Sequence, residues 1–196
     1  ARPRLRNRAS GPRIAPRLRD LTSADADRIL ELTRATGVFR EEELAIADEV
    51  LHDCVEAAGP SGGVPALVDP TGWPIERPYY GLGADVDGIL SGWVCWGRTP
   101  CTEGTWDLYW LAVDPATHRG GVARALVDEM ERRLRGKARL VTIDTSGRPD
   151  YTATRGFYAA LGYQAVARVP DFYAPGDDQV IFTKVFPPQS NPPRSP

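Results

Sequence analysis

The chain of 196 residues has no apolar run approaching the ~20 residues that a membrane-spanning helix needs. No apolar stretch follows the arginines at its N-terminus, so a secretory signal is not expected either. Cysteine is scarce. Cys54, Cys95 and Cys101 are odd in number and form no C-x-x-C pair, which argues against a disulfide framework or a structural zinc site and favours a reducing cytoplasm. Histidine is scarcer, with only His52 and His118, and no metal is expected. G-x-G-x-x-G is missing, which weakens a Rossmann dinucleotide site, and the absence of any G-K-S or G-K-T excludes a phosphate-binding P-loop. There are no internal repeats.

What is present fits one ordinary soluble domain, with 42% apolar and 26% charged residues. The net charge of −2 conceals an asymmetry: residues 1–19 hold seven arginines and no acid, while residues 20–196 carry 17 basic and 26 acidic side chains. An acidic body speaks against a broad nucleic-acid surface, and neither a nucleic acid nor a membrane is an expected partner. Residues 1–14 read as a basic flexible arm, and 187–196, with five prolines, as a disordered tail. The folded domain is then 15–186.

Within that domain the periodicity changes along the chain. Ala15 to Leu21 reads as a short edge strand, and Ser23 or Asp25 caps a helix running to about Thr36. A second helix spans about Glu41 to Ala58, and Gly59 to Pro78 is a Pro- and Gly-rich loop. Tyr79–Val86, Gly88–Gly97 and Thr105–Val113 are strands, the first two joined by a hairpin signal at Asp87-Gly88. A helix from Gly121 to about Arg135, a strand at Ala138–Asp144, a helix over Tyr151–Leu161 and strands at Tyr163–Val169 and Val180–Phe186 complete the order, with Asp171–Asp178 as a turn-rich loop. This is a mixed α/β domain with a largely central sheet.

The most informative segment is Trp106 to Val127, WDLYWLAVDPATHRGGVARALV, where a strand ends and glycines open a helix. Backbone N–H groups at a helix N-terminus, unobstructed at Gly120 and Gly121, suit a phosphate or pyrophosphate, and Ala123 keeps the first turn thin. The same two glycines also suit a plain tight turn.

Two motifs in this part of the chain resemble those of the GNAT superfamily of acyl-coenzyme A-dependent N-acetyltransferases. Its coenzyme motif, Q/R-x-x-G-x-G/A after L-x-V-x-P, is matched by His118-Arg119-Gly120-Gly121-Val122-Ala123 after Leu111-Ala112-Val113-Asp114-Pro115, with His in place of Gln or Arg at the first position. Its Y-x-x-x-G-F/Y helix end is matched by Tyr158 to Tyr163. The resemblance covers roughly residues 16 to 186. It implies an α/β, mostly antiparallel central sheet flanked by helices, with one splayed strand pair and a β-bulge, and acetyl-coenzyme A or coenzyme A as cosubstrate without a metal.

By the same resemblance the pyrophosphate lies on amides of His118 to Ala123, and the pantetheine arm runs along Leu111, Ala112 and Val113 like an extra strand. An N–H near Leu111 then polarises the thioester carbonyl. Arg119, Arg124 and Arg155 are in reach of the coenzyme phosphates and equally read as solvated helix residues. Asp107, four residues before Leu111, stands where histone-acetylating relatives carry a glutamate base, and strand alternation puts Asp107, Tyr109 and Leu111 on one face. A hydrogen-bonded strand-end aspartate without a catalytic duty is the other reading of Asp107. Tyr158 matches the tyrosine that acts as general acid to the leaving thiolate, and a core tyrosine is its ordinary alternative. Tyr151 stands where the family often has Asn. The acceptor pocket is expected from Val38–Leu51 and the loop 171–178, with Tyr109, Asp171, Tyr173, Asp177 and Asp178 as its side chains.

The resulting expectation is direct acetyl transfer to a primary amine of a small molecule, amino acid or peptide, in a protein that resemblance suggests is a homodimer. Two rival readings accompany it. One is a non-catalytic acyl-coenzyme A-binding protein of the same fold. The other is a tether using the arginine arm.

Overall fold

The structure, a computed structural model, describes residues 15–56, 67–68, 74–75, 79–117 and 120–187. The expected basic arm, nearly all of the tail and most of the Pro-rich loop lie outside those residues. The described residues hold strands β1 Arg17–Asp20, β2 Leu67–Val68, β3 Pro74–Ile75, β4 Tyr80–Val86, β5 Ile89–Arg98, β6 Thr105–Val113, β7 Leu140–Ser146, β8 Gln164–Ala174 and β9 Asp177–Val185, with helices α1 Ala26–Ala35 and α2 Glu41–Glu56 after β1, α3 Val122–Leu134 after β6 and α4 Thr152–Ala160 after β7. Seven strands form one sheet in the order β1-β4-β5-β6-β7-β9-β8, and β2 pairs only with β3. Every pairing is antiparallel except β6 with β7. Among the described residues no helix is long and apolar enough to cross a membrane.

Two cores sandwich the sheet. On one face α3 and α4 cover Leu82, Val94, Trp96, Leu108, Val141, Ile143 and Phe182. α3 holds this face because Val122, Leu126, Val127, Met130 and Leu134 recur at helical spacing and are all buried. On the other face α1 and α2 bring Ile29, Leu32, Val50 and Leu51 against Leu90, Trp93 and Cys95. There Trp93 Nε1 donates to Thr33 Oγ1 at 2.9 Å, which satisfies the indole N–H inside the core. β5 is buried from Leu90 through Gly97, as a central strand covered on both faces must be. The hydroxyl-rich junction from β1 into α1 is held by Asp25, whose carboxylate accepts from the Thr22 amide and from the Arg19 guanidinium, both at 2.8 Å.

β6 contains one residue more than β5 can pair. Leu108 faces Trp96 and Trp110 faces Cys95, so Tyr109 is a bulge. The bulge changes the side-chain parity. Trp106, Leu108, Leu111 and Val113 all pack on the α3/α4 face, whereas Trp110 and Ala112 pack on the α1/α2 face. Asp107, Tyr109 and Leu111 therefore do not share a face as simple alternation predicts. The parallel ladder to β7 runs from Thr105–Leu140 to Leu108–Ile143 and stops there, at the bulge. Beyond it β7 continues with β9 alone, and the two parallel strands part.

The C-terminal hairpin also differs from expectation. Residues 171–178, read as a loop, are mostly strand, with only Pro175 and Gly176 between β8 and β9. The polar residues that suggest a loop serve the hairpin instead. Asp171 has a φ of 53° at a register irregularity between Val169 and Ala174. Its carboxylate accepts from the Gly176 amide at 2.6 Å, while its own amide donates to Asp178 Oδ1 at 3.0 Å.

Two tests follow from this packing. Gly92 lies on β5 beneath the start of α3, where a Cβ would meet Val122 Cγ1 at 2.7 Å and the Ala112 carbonyl oxygen at 3.2 Å. Overpacking of this kind costs ~1–3 kcal/mol, and a domain of this size loses ~2–4 °C per kcal/mol, so Gly92→Ala is expected to melt ~2–12 °C lower by calorimetry. The second concerns acid. The hydrogen bonds from Arg19 hold the Asp25 carboxyl below its ordinary range. A depressed folded-state value stabilises the protein above pH ~4 and stops doing so as the pH falls below it. Asp25→Asn is thus expected to lower the urea midpoint at pH 7, with the gap to the parent protein narrowing as the pH is brought down from 4.

Candidate active site

Where β6 and β7 part, a cavity of about 320 Å3 opens, lined from both faces of the sheet. Leu108, Leu111, Ile143, Thr154 and Tyr158 belong to the α3/α4 side, while Asp107, Tyr109, Thr142, Asp144 and Ser146 approach from the other. Phe39, Arg40 and Glu43 at the head of α2, with Tyr173 and Asp177 from the β8–β9 hairpin, form its outer wall. The bulge is what lets one cavity reach both sides. It ends the ladder at Leu108 and, among the described residues, leaves the β6 edge from Tyr109 to Val113 with no strand beside it on the β7 side.

Four acidic side chains line the cavity, in three different states. Asp107 is nearly saturated: Oδ2 accepts from Thr99 Oγ1 at 2.6 Å and from Tyr109 Oη at 3.4 Å, and Oδ1 accepts from Thr142 Oγ1. Asp177 is buried and taken up by charge, accepting from Ser146 Oγ at 2.5 Å and from Arg40 at 2.9 Å, with Arg148 at 3.7 Å. Glu43 receives the Arg40 amide at the start of α2. Asp144 has a single donor among the described residues, Gln179 Nε2 at 2.8 Å. Partial burial pushes the Asp144 carboxyl up from its ordinary value, and the charge of Asp107 adds to the effect.

The tyrosines divide similarly. Tyr158 is 5% exposed among Phe157, Tyr163 and Phe182, and burial lifts its phenol well above the ordinary value, so it stays protonated across the neutral range. Tyr109 rests edge-on against Tyr79 with centroids 5.3 Å apart, and burial followed by the Asp107 charge raises its phenol. Tyr151 donates to the Val38 carbonyl oxygen at 3.1 Å, tying the start of α4 to the α1–α2 connection, and burial pushes it up to about 12. Tyr173 is pushed up to about 12 for the same first reason.

At the other end of β6 the chain passes through a 3-10 turn, Pro115–Thr117, into the N-terminus of α3. Gly121 is the N-cap with φ 85° and nothing within 4 Å of a would-be Cβ, so the approach to the helix end is open. Gly120 is required for closeness, since a Cβ there would stand 2.9 Å from the Thr117 carbonyl oxygen. Val122 is buried, Ala123 half-buried and Arg124 exposed. His118 and Arg119 lie outside the described residues.

Several expected site residues are therefore brought together: Asp107, Tyr109, Leu111, Tyr158, Tyr173 and Asp177 line one cavity. Ala112 is buried on the α1/α2 face and Val113 packs on the other. Three are placed elsewhere. Asp171 and Asp178 bond to the hairpin backbone, and Asp178 also pairs with Arg168 at 2.9 Å. Arg155 donates to the carbonyl oxygens of Ser146 and Arg148 at 2.7 and 2.9 Å, closing the corner between β7 and α4. The sequence reading missed Arg40, Arg148, Thr142 and Asp144. For Asp144 the trace was there, a carboxylate two residues after Thr142 at the end of an otherwise apolar strand, but its nearness to Asp107 needs the parallel ladder.

The geometry has counterparts in known proteins. Residues 48–163 match the family model for the acetyltransferase (GNAT) family. A protein from Desulfovibrio desulfuricans assigned to the GNAT family of acetyltransferases is 32% identical, with 87% of this chain and 99% of that one aligned at a TM-score of 0.72. The ribosomal-protein-S18-alanine N-acetyltransferase of Escherichia coli shares 16% identity over 90% of this chain and 98% of its own, with a TM-score of 0.64. The PaiA N-acetyltransferase of Thermoplasma acidophilum, solved in complex with coenzyme A, shares 16% over 88% and 100%, with a TM-score of 0.63. No curated protein matches the sequence.

Proposed function

Since this chain belongs to the GNAT acetyltransferase family, we propose that it carries an acetyl group from acetyl-coenzyme A directly to a primary amine of a small molecule, amino acid or peptide, both held at once. One observation carries this reading. The gap beyond Leu108 joins an unpaired strand edge and an open helix N-terminus on one side to an acidic, tyrosine-lined chamber on the other. A coenzyme supplies an acyl thioester. The chain supplies places for its parts: N–H groups at Gly121, Val122 and Ala123 for the pyrophosphate, and the free edge at Leu111 to Val113 for an extended amide-bearing arm. Arg155 spends Nη1 on the carbonyl oxygens of Ser146 and Arg148 and donates from Nη2 to Thr152 Oγ1, so in this reading it braces the corner at α4 more than it serves a phosphate.

Placement does most of the work in such a reaction, because fixing two reactants side by side removes much of the entropic barrier. Proton handling is the remainder. An alkylammonium must lose a proton before its nitrogen can attack, and the departing sulfur must gain one. Tyr158 is the donor to sulfur in this reading, a phenol kept neutral by burial. The negative chamber, with Asp107 and Asp144 both lacking a cationic partner among the described residues, attracts the ammonium and disfavours an anionic acceptor. A reducing, cytoplasmic setting suits the buried Cys54 and Cys95, which are free thiols 3.6 Å apart. The same fold used only to hold an acyl-coenzyme A would have no need of Tyr158 facing the gap.

Thermal shift tests the coenzyme directly. A ligand at 100 times its dissociation constant adds ~2.7 kcal/mol, so acetyl-coenzyme A and coenzyme A are expected to raise the melting temperature by several degrees while NAD and ATP do not. No shift from either coenzyme species overturns the proposal. Once an acceptor is in hand, Tyr158→Phe is expected to lower kcat ~10²–10⁴-fold with KM for acetyl-coenzyme A nearly unchanged. A kcat within twofold of the parent enzyme removes Tyr158 from the chemistry.

A further inference from the structure

Within the reading of an acetyl transfer to an amine, on which this inference rests, the choice of proton acceptor between the two carboxylates at the parted strands, Asp107 and Asp144, is decided by lone pairs. A carboxylate has roughly four acceptor positions. Asp107 has three filled by the hydroxyls of Thr99, Thr142 and Tyr109, and those bonds fix it to β5's end, β7 and the bulge at once. Asp144, two residues beyond Thr142 on the same face of β7, lines the cavity and has one filled among the described residues, by Gln179 from β9 on Oδ2. We propose that Asp144, and not Asp107, is the catalytic base that takes the proton from the acceptor ammonium, and that Asp107 is a positioning residue that keeps the parted strands in register and presents Tyr109.

The surroundings fit that division. Facing Asp144 are Asp107 and Tyr109 from β6, Tyr173 and Asp177 from the hairpin, and Glu43 from α2. The two cations of the chamber, Arg40 and Arg148, are bonded to Asp177, and Arg148 also to Asp150. Among the described residues no guanidinium therefore neutralises Asp144, and its neighbour Asp107 favours a proton on it. A base so placed holds a proton better than an isolated aspartate and gives it up readily to solvent. The accounting closes. Asp144 Oδ1 takes one proton from the ammonium, the neutral nitrogen forms the C–N bond, and the C–S bond breaks. The sulfur takes the Tyr158 phenolic proton, the nitrogen's second proton restores that phenol, and Asp144 releases its proton to water.

The test compares two acceptors in the full-length protein, with thiol release from acetyl-coenzyme A as the readout. One is the most reactive alkylamine from a panel of diamines, amino acids and short peptides with free N-termini, all largely protonated at pH 7. The other is hydroxylamine, already largely neutral at that pH. Asp144→Asn is expected to lower kcat with the alkylamine ~10²–10⁴-fold at pH 7, to recover as the pH rises toward the amine's own value, and to change hydroxylamine turnover little. Asp107→Asn is expected to impair both acceptors in similar proportion without changing the shape of the pH profile. The proposal is overturned if Asp144→Asn keeps the parent pH profile with the alkylamine, if it loses both acceptors equally, or if the alkylamine-specific loss belongs to Asp107→Asn. Absence of thiol release by the parent protein with every amine, hydroxylamine included, is a different failure. It removes the transfer reaction itself and the base with it.

Discussion

The β6–β7 ladder ends at Leu108 because Tyr109 is one residue too many for β5 to pair, and everything distinctive about this protein depends on that mismatch. A bulge sharpens the local twist and turns the following residues over, so a strand that begins as a member of a continuous sheet finishes at an angle to its parallel neighbour. The gap costs several backbone hydrogen bonds that a continuous ladder would make. Protein interiors seldom leave such groups unmade, so a persistent free edge lined by a cavity is more readily understood as a place for a partner than as a defect.

What holds the gap open is a set of ties across it. Thr142 on β7 reaches Asp107 on β6, Thr99 reaches the same carboxylate from the end of β5, and Tyr109 closes the set. Further out, Asp177 gathers Ser146, Arg40 and Arg148, which links the hairpin to the end of β7 and the head of α2. Arg155 and Tyr151 complete the frame by binding carbonyl oxygens of residues 146, 148 and 38. Such groups are costly to bury alone and well satisfied together, so the polar rim acts as one rigid unit around the cavity.

Within that frame charge is distributed unevenly, and the unevenness carries the chemistry. Arginine is present in the chamber but committed to Asp177, while among the described residues Asp107 and Asp144 have no cationic partner. The result is a site whose net character is acidic although its composition is mixed. On the opposite face, among the described residues, the cavity is lined by Leu108, Leu111, Ile143, Thr154 and Tyr158, none of them charged. In the proposed transfer, the amine and the acyl thioester thus reach one place from different sides.

Much of this was legible in the sequence. Periodicity and turn residues located α1 to α4 and the seven strands of the main sheet to within a few residues except at the C-terminal hairpin, because an amphipathic stripe such as Val122–Leu134 and a buried strand such as Leu90–Gly97 can each be satisfied in only one way. The glycines at 120 and 121 marked the start of α3, and the resemblance of Tyr158 to Tyr163 to a family motif singled out Tyr158 as a candidate. The resemblance implied a β-bulge and a splayed pair, but local pattern could not place the bulge, since nothing in TWDLYWLAV says that Tyr109 will lack a partner on β5. Without the bulge, alternation misplaced Leu111 relative to Asp107, and Asp144 was only the last letter of a strand. It also misread 171–178 as loop, because the same aspartates that favour turns bind the backbone of a hairpin. Side-chain type and spacing are properties of the chain alone. Which carboxylate keeps a free oxygen depends on which hydroxyls the fold brings within three ångströms of it, and only the tertiary structure decides that.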